Sequence, residues 1–162
     1  MARRLRPVEL DFVDSAPLRL VFAREVSASP DAVYRALAED VVGWPQWFSA
    51  VTLARPLDGG ARREVRLKGG TRFLETIVAA ETGDVCVYAY RVDETNAPGL
   101  RALLEEWRVQ DVGGGRRRVQ WTFAVDAPGV MRVGLKAGRA GLGRAFRDAV
   151  GKLERRVTAA RA

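Results

Sequence analysis

Two carboxylates stand on otherwise apolar faces of predicted strands, and they are the residues of this chain best suited to acid–base chemistry. Glu75 alternates with Phe73 and Ile77, while Glu105 shares a face with Trp107. Burial disfavours the charged form of a carboxyl and raises its pKa, which suits it to donate or accept protons near neutral pH. Glu75 and Glu105 are therefore the best catalytic candidates if the protein is an enzyme.

The residue types that are missing exclude several kinds of catalytic and metal site. The 162-residue chain contains no histidine and a single cysteine. This excludes Ser-His-Asp and Cys-His pairs, histidine-ligated zinc and an internal disulfide. Cys86 lies in an apolar strand, where a thiol behaves as a small hydrophobic side chain. We expect neither a metal nor a cofactor, so proton transfer would fall to carboxylates, tyrosines, lysines or water.

Aromatic side chains of the predicted strands and turns provide flat apolar walls around these carboxylates. With the two glutamates as polar anchors, the predicted ligand-binding set is Trp44, Trp47, Phe48, Glu75, Tyr88, Tyr90, Glu105, Trp107 and Trp121. The aromatic residues also fit plain core packing, and those at 44–48 fit the edge of a lid. A β-bulge would instead turn the glutamates to the outer face, toward Arg66, Arg72 or Arg91.

The elements that position these residues follow a recognisable order. Leu18–Ser27 alternates as a half-buried strand, and Ser29 with Pro30 begins a short helix, with a second small helix at 44–48. Glycine-rich turns then separate strands up to Asp126. From Val130 the apolar residues recur every three or four positions, which predicts one amphipathic helix of about 25 residues. Its five glycines suggest close approach of another element or a bend.

This order predicts an α+β fold in which a curved antiparallel sheet of about six to seven strands surrounds a long C-terminal helix, with two short helices after the first strand. We assign residues 1–17 to an N-terminal arm and residues 18–160 to a single ligand-binding domain. No apolar run reaches the ~20 residues of a membrane helix, and the basic amino terminus lacks the apolar middle of a signal peptide. We therefore expect a cytoplasmic protein without a transmembrane segment.

Three stretches give the chain a resemblance to a known superfamily. They are the opening at 28–34 with Trp44-Pro45-Gln46-Trp47, the strands around Phe73–Ile77 and Tyr88–Val92, and the closing helix. Over residues 18–157 the chain resembles the START-related SRPBCC superfamily, and within it the polyketide cyclase/dehydrase group. The resemblance implies a helix-grip fold with an internal cavity for hydrophobic, often polyketide-like or lipid-like molecules. In that group an arginine also helps to fold the ligand, a role open here to Arg66 or Arg72.

The distribution of charge keeps a second function open. The net charge is +7, and residues 130–162 account for it with nine basic and two acidic side chains. The leading interpretation is a binder of a small hydrophobic molecule, with cyclase or dehydratase activity as an open extension. The alternative is a non-enzymatic protein whose basic helix docks an acidic protein, a membrane surface or RNA. Specific nucleic-acid recognition is not expected, because exposed aromatics do not accompany the basic residues. The sequence leaves a homodimer open.

Overall fold

A computed structural model describes residues 1–160 and has the predicted α+β order. Its strands are β1 (Arg3–Arg4), β2 (Leu18–Val26), β3 (Val51–Leu57), β4 (Arg62–Leu67), β5 (Arg72–Glu81), β6 (Val85–Thr95), β7 (Ala102–Gly113) and β8 (Arg116–Asp126). Its α-helices are α1 (Phe12–Ser15), α2 (Pro30–Tyr34), α3 (Gly129–Ala137) and α4 (Arg139–Ala159). A short π-helix (Arg35–Glu39) and two short 3₁₀-helices (Val41–Gln46 and Asp58–Gly60) are the remaining helical elements.

The sheet is antiparallel throughout and curves around α4. Its strand order is β2-β8-β7-β6-β5-β4-β3, and the two-residue β1 pairs with β6. One face of α4 is buried against the inner face of this sheet, through Phe146, Ala149, Val150 and Leu153. The predicted fold is therefore confirmed, with β1 as an additional short strand.

Residues 8–16 of the N-terminal segment pack on the opposite, outer face of the sheet, while Leu5 joins the main core cluster. Three of them join a small apolar cluster with side chains of β7 and β8, formed by Val8, Phe12, Val13, Ala102, Leu104 and Ala124. The segment predicted as an arm therefore covers the outer surface of β7 and β8, and leaves the inner face to the helices that follow.

The short helices after β2 form as the sequence indicates, with one shift. Ser29 caps α2 by accepting a hydrogen bond from the Ala32 backbone N–H at 3.2 Å. The second helix, predicted from Trp44, is a 3₁₀ turn that already begins at Val41. The Trp44 indole N–H donates to the Leu37 carbonyl at 2.9 Å, which holds this turn against the preceding one.

The C-terminal helix is divided into two segments at Gly138. The Gly138 N–H donates to the Gly134 carbonyl at 2.9 Å, and the Leu142 N–H donates to the Gly138 carbonyl at 3.1 Å. Both bonds end at Gly138, whose ψ of 1° departs from the α-helical value, so α3 and α4 are separate helices that meet at this residue. No helix within residues 1–160 combines the length and apolarity that crossing a membrane requires.

Close approach to the sheet explains two of the five helix glycines. A Cβ atom on Gly151 would lie 2.8 Å from the Arg24 guanidinium, and one on Gly143 would lie 3.4 Å from the Phe22 ring. Gly134 and Gly141 have no neighbour within 4 Å of that position. Close packing therefore accounts for the glycines of α4 that face β2, and does not account for those two exposed ones.

Candidate functional site

Strands β5 and β7 direct both predicted glutamates to the inner face of the sheet. Phe73 and Ile77, which flank Glu75 in the alternation, belong to the main core cluster, as does Trp107 beside Glu105. Glu75 is opposite Arg63 of β4, and Glu105 is opposite Tyr90 of β6. The two carboxyls therefore enter the same interior region from different strands.

Glu75 forms a fully buried ion pair with Arg63, whose Nε donates to the carboxylate. Both residues are at most 2% exposed. The guanidinium carbon of Arg63 lies 3.8 Å from the Tyr90 ring centre and 4.3 Å from the Trp44 ring centre. Burial raises the pKa of Glu75 despite the opposing charge of Arg63. Burial lowers the pKa of Arg63, but Glu75 more than offsets this and keeps the guanidinium charged. Cation–π contacts add to the ion pair in stabilising this buried charge.

Glu105 is held by a hydrogen-bond chain through Tyr90. The Trp107 indole N–H donates to the Tyr90 hydroxyl at 3.1 Å, and that hydroxyl hydrogen-bonds to the Glu105 carboxyl. Burial raises the pKa of Glu105 to about 7, the charge of Glu75 adds to the rise, and the Tyr90 hydrogen bond and Arg63 oppose it. Burial, with the neighbouring Glu105, also raises the pKa of Tyr90 well above its usual value. Near neutral pH, Glu105 is thus present in both protonation states while Tyr90 remains a donor.

The four tryptophans and Phe48 of the predicted set pack together between the sheet and α4. The Trp107 and Trp121 rings stack at 5.6 Å, and the Trp44 and Trp47 ring centres are 4.6 Å apart. Phe48 lies 6.0 Å from Trp121 with its ring edge-on. All five side chains are buried, while Pro45 and Gln46 of the 44–48 segment retain exposure.

Three buried donors in this interior have no hydrogen-bond partner among residues 1–160. They are the indole N–H groups of Trp47 and Trp121 and the Nη1 of Arg63. A buried donor without an acceptor costs about 1–3 kcal/mol, so such groups call for an acceptor outside the protein, either water or a ligand.

A row of inner-face side chains crosses four neighbouring strands of the sheet. Phe123, Glu105, Tyr90 and Ile77 are successive cross-strand neighbours on β8, β7, β6 and β5. Three of the four retain partial exposure, with Tyr90 buried between them. At about 4.8 Å per strand spacing the row is about 14 Å long.

The structure corrects the arginine assignment. Arg66 and Arg72 lie on the outer face and donate to Glu64, at 2.8 and 3.0 Å. Arg91 is likewise turned outward, where it hydrogen-bonds to Asp93. The interior arginine is Arg63, which sequence reasoning missed. The signal was present: Arg63 alternates with Val65 and Leu67, the apolar residues of β4.

The nine predicted ligand-binding residues are therefore brought together in one region. Tyr88 completes the set through its ring, whose centre is 5.5 Å from the Arg63 guanidinium. The region holds one cation, two carboxyls, two phenols and five further aromatic rings. Within the described residues, no three histidine, cysteine or carboxylate side chains converge to hold a metal ion.

Comparisons with known proteins identify the family and the structures that this chain resembles. The family model described as polyketide cyclase / dehydrase and lipid transport matches residues 17–158. An uncharacterised protein of Mycobacterium tuberculosis is 30% identical over 159 residues, covering 95% of this chain and 92% of that protein. A START superfamily protein of Mycobacterium smegmatis superposes with a TM-score of 0.60 at 12% identity, covering 80% of this chain and 96% of that one. The di-domain ARO/CYC protein BexL of the BE-7585A biosynthetic pathway superposes with a TM-score of 0.68 at 18% identity, covering 87% of this chain and 46% of that one.

Proposed function

Because the chain belongs to the polyketide cyclase/dehydrase and lipid transport family, we propose that its interior binds a small hydrophobic, oxygen-bearing molecule and acts on it as a cyclase or dehydratase. The observation that carries this proposal is the group of unpartnered donors, Arg63 Nη1 and the Trp47 and Trp121 indole N–H groups, set among aromatic rings. Rings bind the apolar body of such a ligand, and the donors hydrogen-bond to its carbonyl oxygens.

The proposed chemistry assigns a separate role to each charged group. Glu105 takes a proton from a carbon that lies between two carbonyls of the ligand. The resulting enolate carbon attacks a further carbonyl carbon of the same molecule and forms a carbon–carbon bond. The electron pair of that carbonyl moves to its oxygen, where Arg63 stabilises the developing charge. Protonated Glu105 returns the proton to this oxygen, giving the aldol product. Loss of the hydroxyl with a neighbouring carbon-bound proton then releases water.

Glu75 has a positioning role in this proposal. It fixes the Arg63 guanidinium through Nε and leaves Nη1 free for the ligand. The charge of Glu75 raises the pKa of Glu105 and favours its neutral form. The charge of Arg63 lowers that pKa and favours the charged form. These opposing effects support a carboxyl that changes protonation state near neutral pH.

Native mass spectrometry of freshly purified protein tests whether the interior carries a ligand. We expect a discrete mass, in the range of a small apolar metabolite, that departs on denaturation. The Trp121→Phe variant, which removes one unpartnered donor and keeps an aromatic ring, should retain less of the same molecule. Identical occupancy of both proteins would contradict the role of this indole.

A pair of synthetic probes separates oxygen recognition from simple apolar binding. Dibenzoylmethane and 1,3-diphenylpropane share two phenyl rings and a three-carbon link, but only the first offers carbonyl oxygens. We expect dibenzoylmethane to quench the tryptophan fluorescence with at least about tenfold higher affinity, since each hydrogen bond contributes about 1 kcal/mol. Trp121→Phe should weaken the diketone by about fivefold and leave the hydrocarbon unchanged. Equal affinity for the two probes would remove the basis of the proposal.

A further inference from the structure

The outward sides of α3 and α4 present a line of exposed side chains on both sides of Gly138. Three-residue spacings place Val130, Val133 and Lys136 on one face of α3, and Ala140, Arg144 and Arg147 follow at four- and three-residue spacings in α4. Lys136, Ala140 and Arg147 line one groove, which joins the two helical faces across Gly138. We call this line the exposed ridge, and its members are Val130, Val133, Lys136, Ala140, Arg144 and Arg147.

The ridge begins with two valines whose side chains do not pack against the core. Val130 is 84% exposed and Val133 is 67% exposed. They belong to α3, which has no buried residue and turns only Met131 and Leu135 toward the core. Isolated exposed valines are ordinary in proteins, but two on one helical face make a small apolar contact surface.

The rest of the ridge is strongly basic. The segment between Asp126 and Asp148 contains five cationic residues and no acidic one. Arg139 is engaged with the sheet, donating to the Val21 carbonyl and lying over the Phe22 ring. Lys136, Arg144 and Arg147 form no ion pair within residues 1–160, so their charges remain available to a partner.

We propose that the exposed ridge binds the surface of an anionic phospholipid membrane. Exposed apolar side chains beside a cluster of cations suit this surface, because the apolar side chains can reach the acyl boundary while the cations contact anionic headgroups. The exposed valines favour a membrane over RNA as the partner. Single-stranded nucleic acid is bound by stacking on aromatic side chains, and the ridge has none. Docking on the membrane does not depend on what the interior binds.

Vesicle co-sedimentation tests the proposal on the whole chain. We expect binding to vesicles of phosphatidylglycerol and little binding to pure phosphatidylcholine, with the former largely lost between about 0.05 M and about 0.5 M salt. Arg144→Glu with Arg147→Glu should lower the affinity at least about 25-fold, since each cation near an anionic surface contributes about 1 kcal/mol, equivalent to about fivefold. Val130→Ser with Val133→Ser should lower it by about tenfold.

Matched variants at the far end of the molecule separate the ridge from general charge and apolarity. Val112 and Arg118 are exposed beside the β7–β8 turn, the length of β8 (about 35 Å) from the start of α3. Val112→Ser and Arg118→Glu should leave vesicle binding within about twofold of the original. Equal binding to both vesicle types, equal losses in ridge and control variants, or ridge-dependent binding of a single-stranded oligonucleotide without vesicle binding would each overturn the proposal. Thermal unfolding of all variants checks that none has lost the fold.

Discussion

Replacing Arg63 by methionine is expected to lower the free energy of unfolding by about 3–5 kcal/mol, among the largest losses that a single substitution in this chain produces. The loss arises because Arg63 is the only counter-ion paired with Glu75 within residues 1–160. Glu75 is 1% exposed, and without the guanidinium its charge is buried with no compensating cation. Urea unfolding at pH 8 measures the effect. Glu75→Leu should produce a loss of the same order, because it leaves Arg63 charged inside the core.

The double variant Arg63→Met with Glu75→Leu tests whether the stabilities lost in the two single variants are coupled or add independently. Apolar residues of similar volume often replace a buried ion pair at little cost, so we expect a loss below about 2 kcal/mol. Arg66→Met is the matched control on the same strand, because Arg66 is half-exposed and is one of three arginines around Glu64. Its loss should stay near 1 kcal/mol or less. Additive losses in the double variant would show that the pair is not coupled.

The pH dependence of the Arg63→Met variant provides an independent check. The unpaired Glu75 carboxyl is more stable protonated in the interior, so the folded state takes up a proton that the unfolded state does not hold at the same pH. A carboxyl pKa raised in the folded state contributes stability at low pH that is lost as the pH rises. The penalty of Arg63→Met should therefore be smaller at pH 5 than at pH 8.

The sequence predicted much of this site because strand alternation is a strong signal when one face is apolar. Phe73 and Ile77 place Glu75 on the inner face, and Trp107 does the same for Glu105. The order of strands, short helices and terminal helix likewise predicted that the curved sheet wraps around the long helix. These features depend on local patterning and on the burial of apolar side chains, which the residues report directly.

Arg63 escaped prediction because β4 carries charged residues on both faces. Arg63 and Glu64 are neighbours on opposite faces, and each is buried, one by aromatic rings and the other by three arginines. The alternation of Arg63 with Val65 and Leu67 indicates the inner face, but it does not show that the arginine is buried there. The pairing of Arg63 with Glu75 is a tertiary contact between strands, and its register depends on bulges elsewhere in the sheet that local sequence does not specify.

Replacing Glu105 by glutamine is expected to stabilise the protein at pH 8 by about 2 kcal/mol and to change its response to pH. The Glu105 pKa is about 7 in the fold, against an ordinary value of 4.5. A difference of this size corresponds to about 3 kcal/mol, and the partial exposure of the side chain reduces it.

The sign follows from the direction of the pKa shift. Between pH 4.5 and about 7 the folded state holds a proton on Glu105 that the unfolded chain has released. The contribution of this group to stability is therefore fully present below pH 4.5, declines as the pH rises, and is lost above about pH 7. Glutamine keeps the shape and the hydrogen bond to Tyr90 but has no proton to lose. Urea unfolding from pH 4.5 to pH 8 should show a shallower decline for Glu105→Gln than for the original protein.

The same variant separates the stability cost of Glu105 from its proposed use. A buried carboxyl that destabilises the fold at neutral pH is what a site requires if it needs a proton acceptor there. If Glu105 transfers protons, Glu105→Gln should be more stable yet lose cyclisation of a bound 1,3-diketone chain by at least about 100-fold, while still binding it. Glu39, an exposed glutamate, provides the control, and Glu39→Gln should alter neither property. A Glu105→Gln variant with unchanged pH dependence would contradict the raised pKa, and one with unchanged turnover would assign proton transfer to another group.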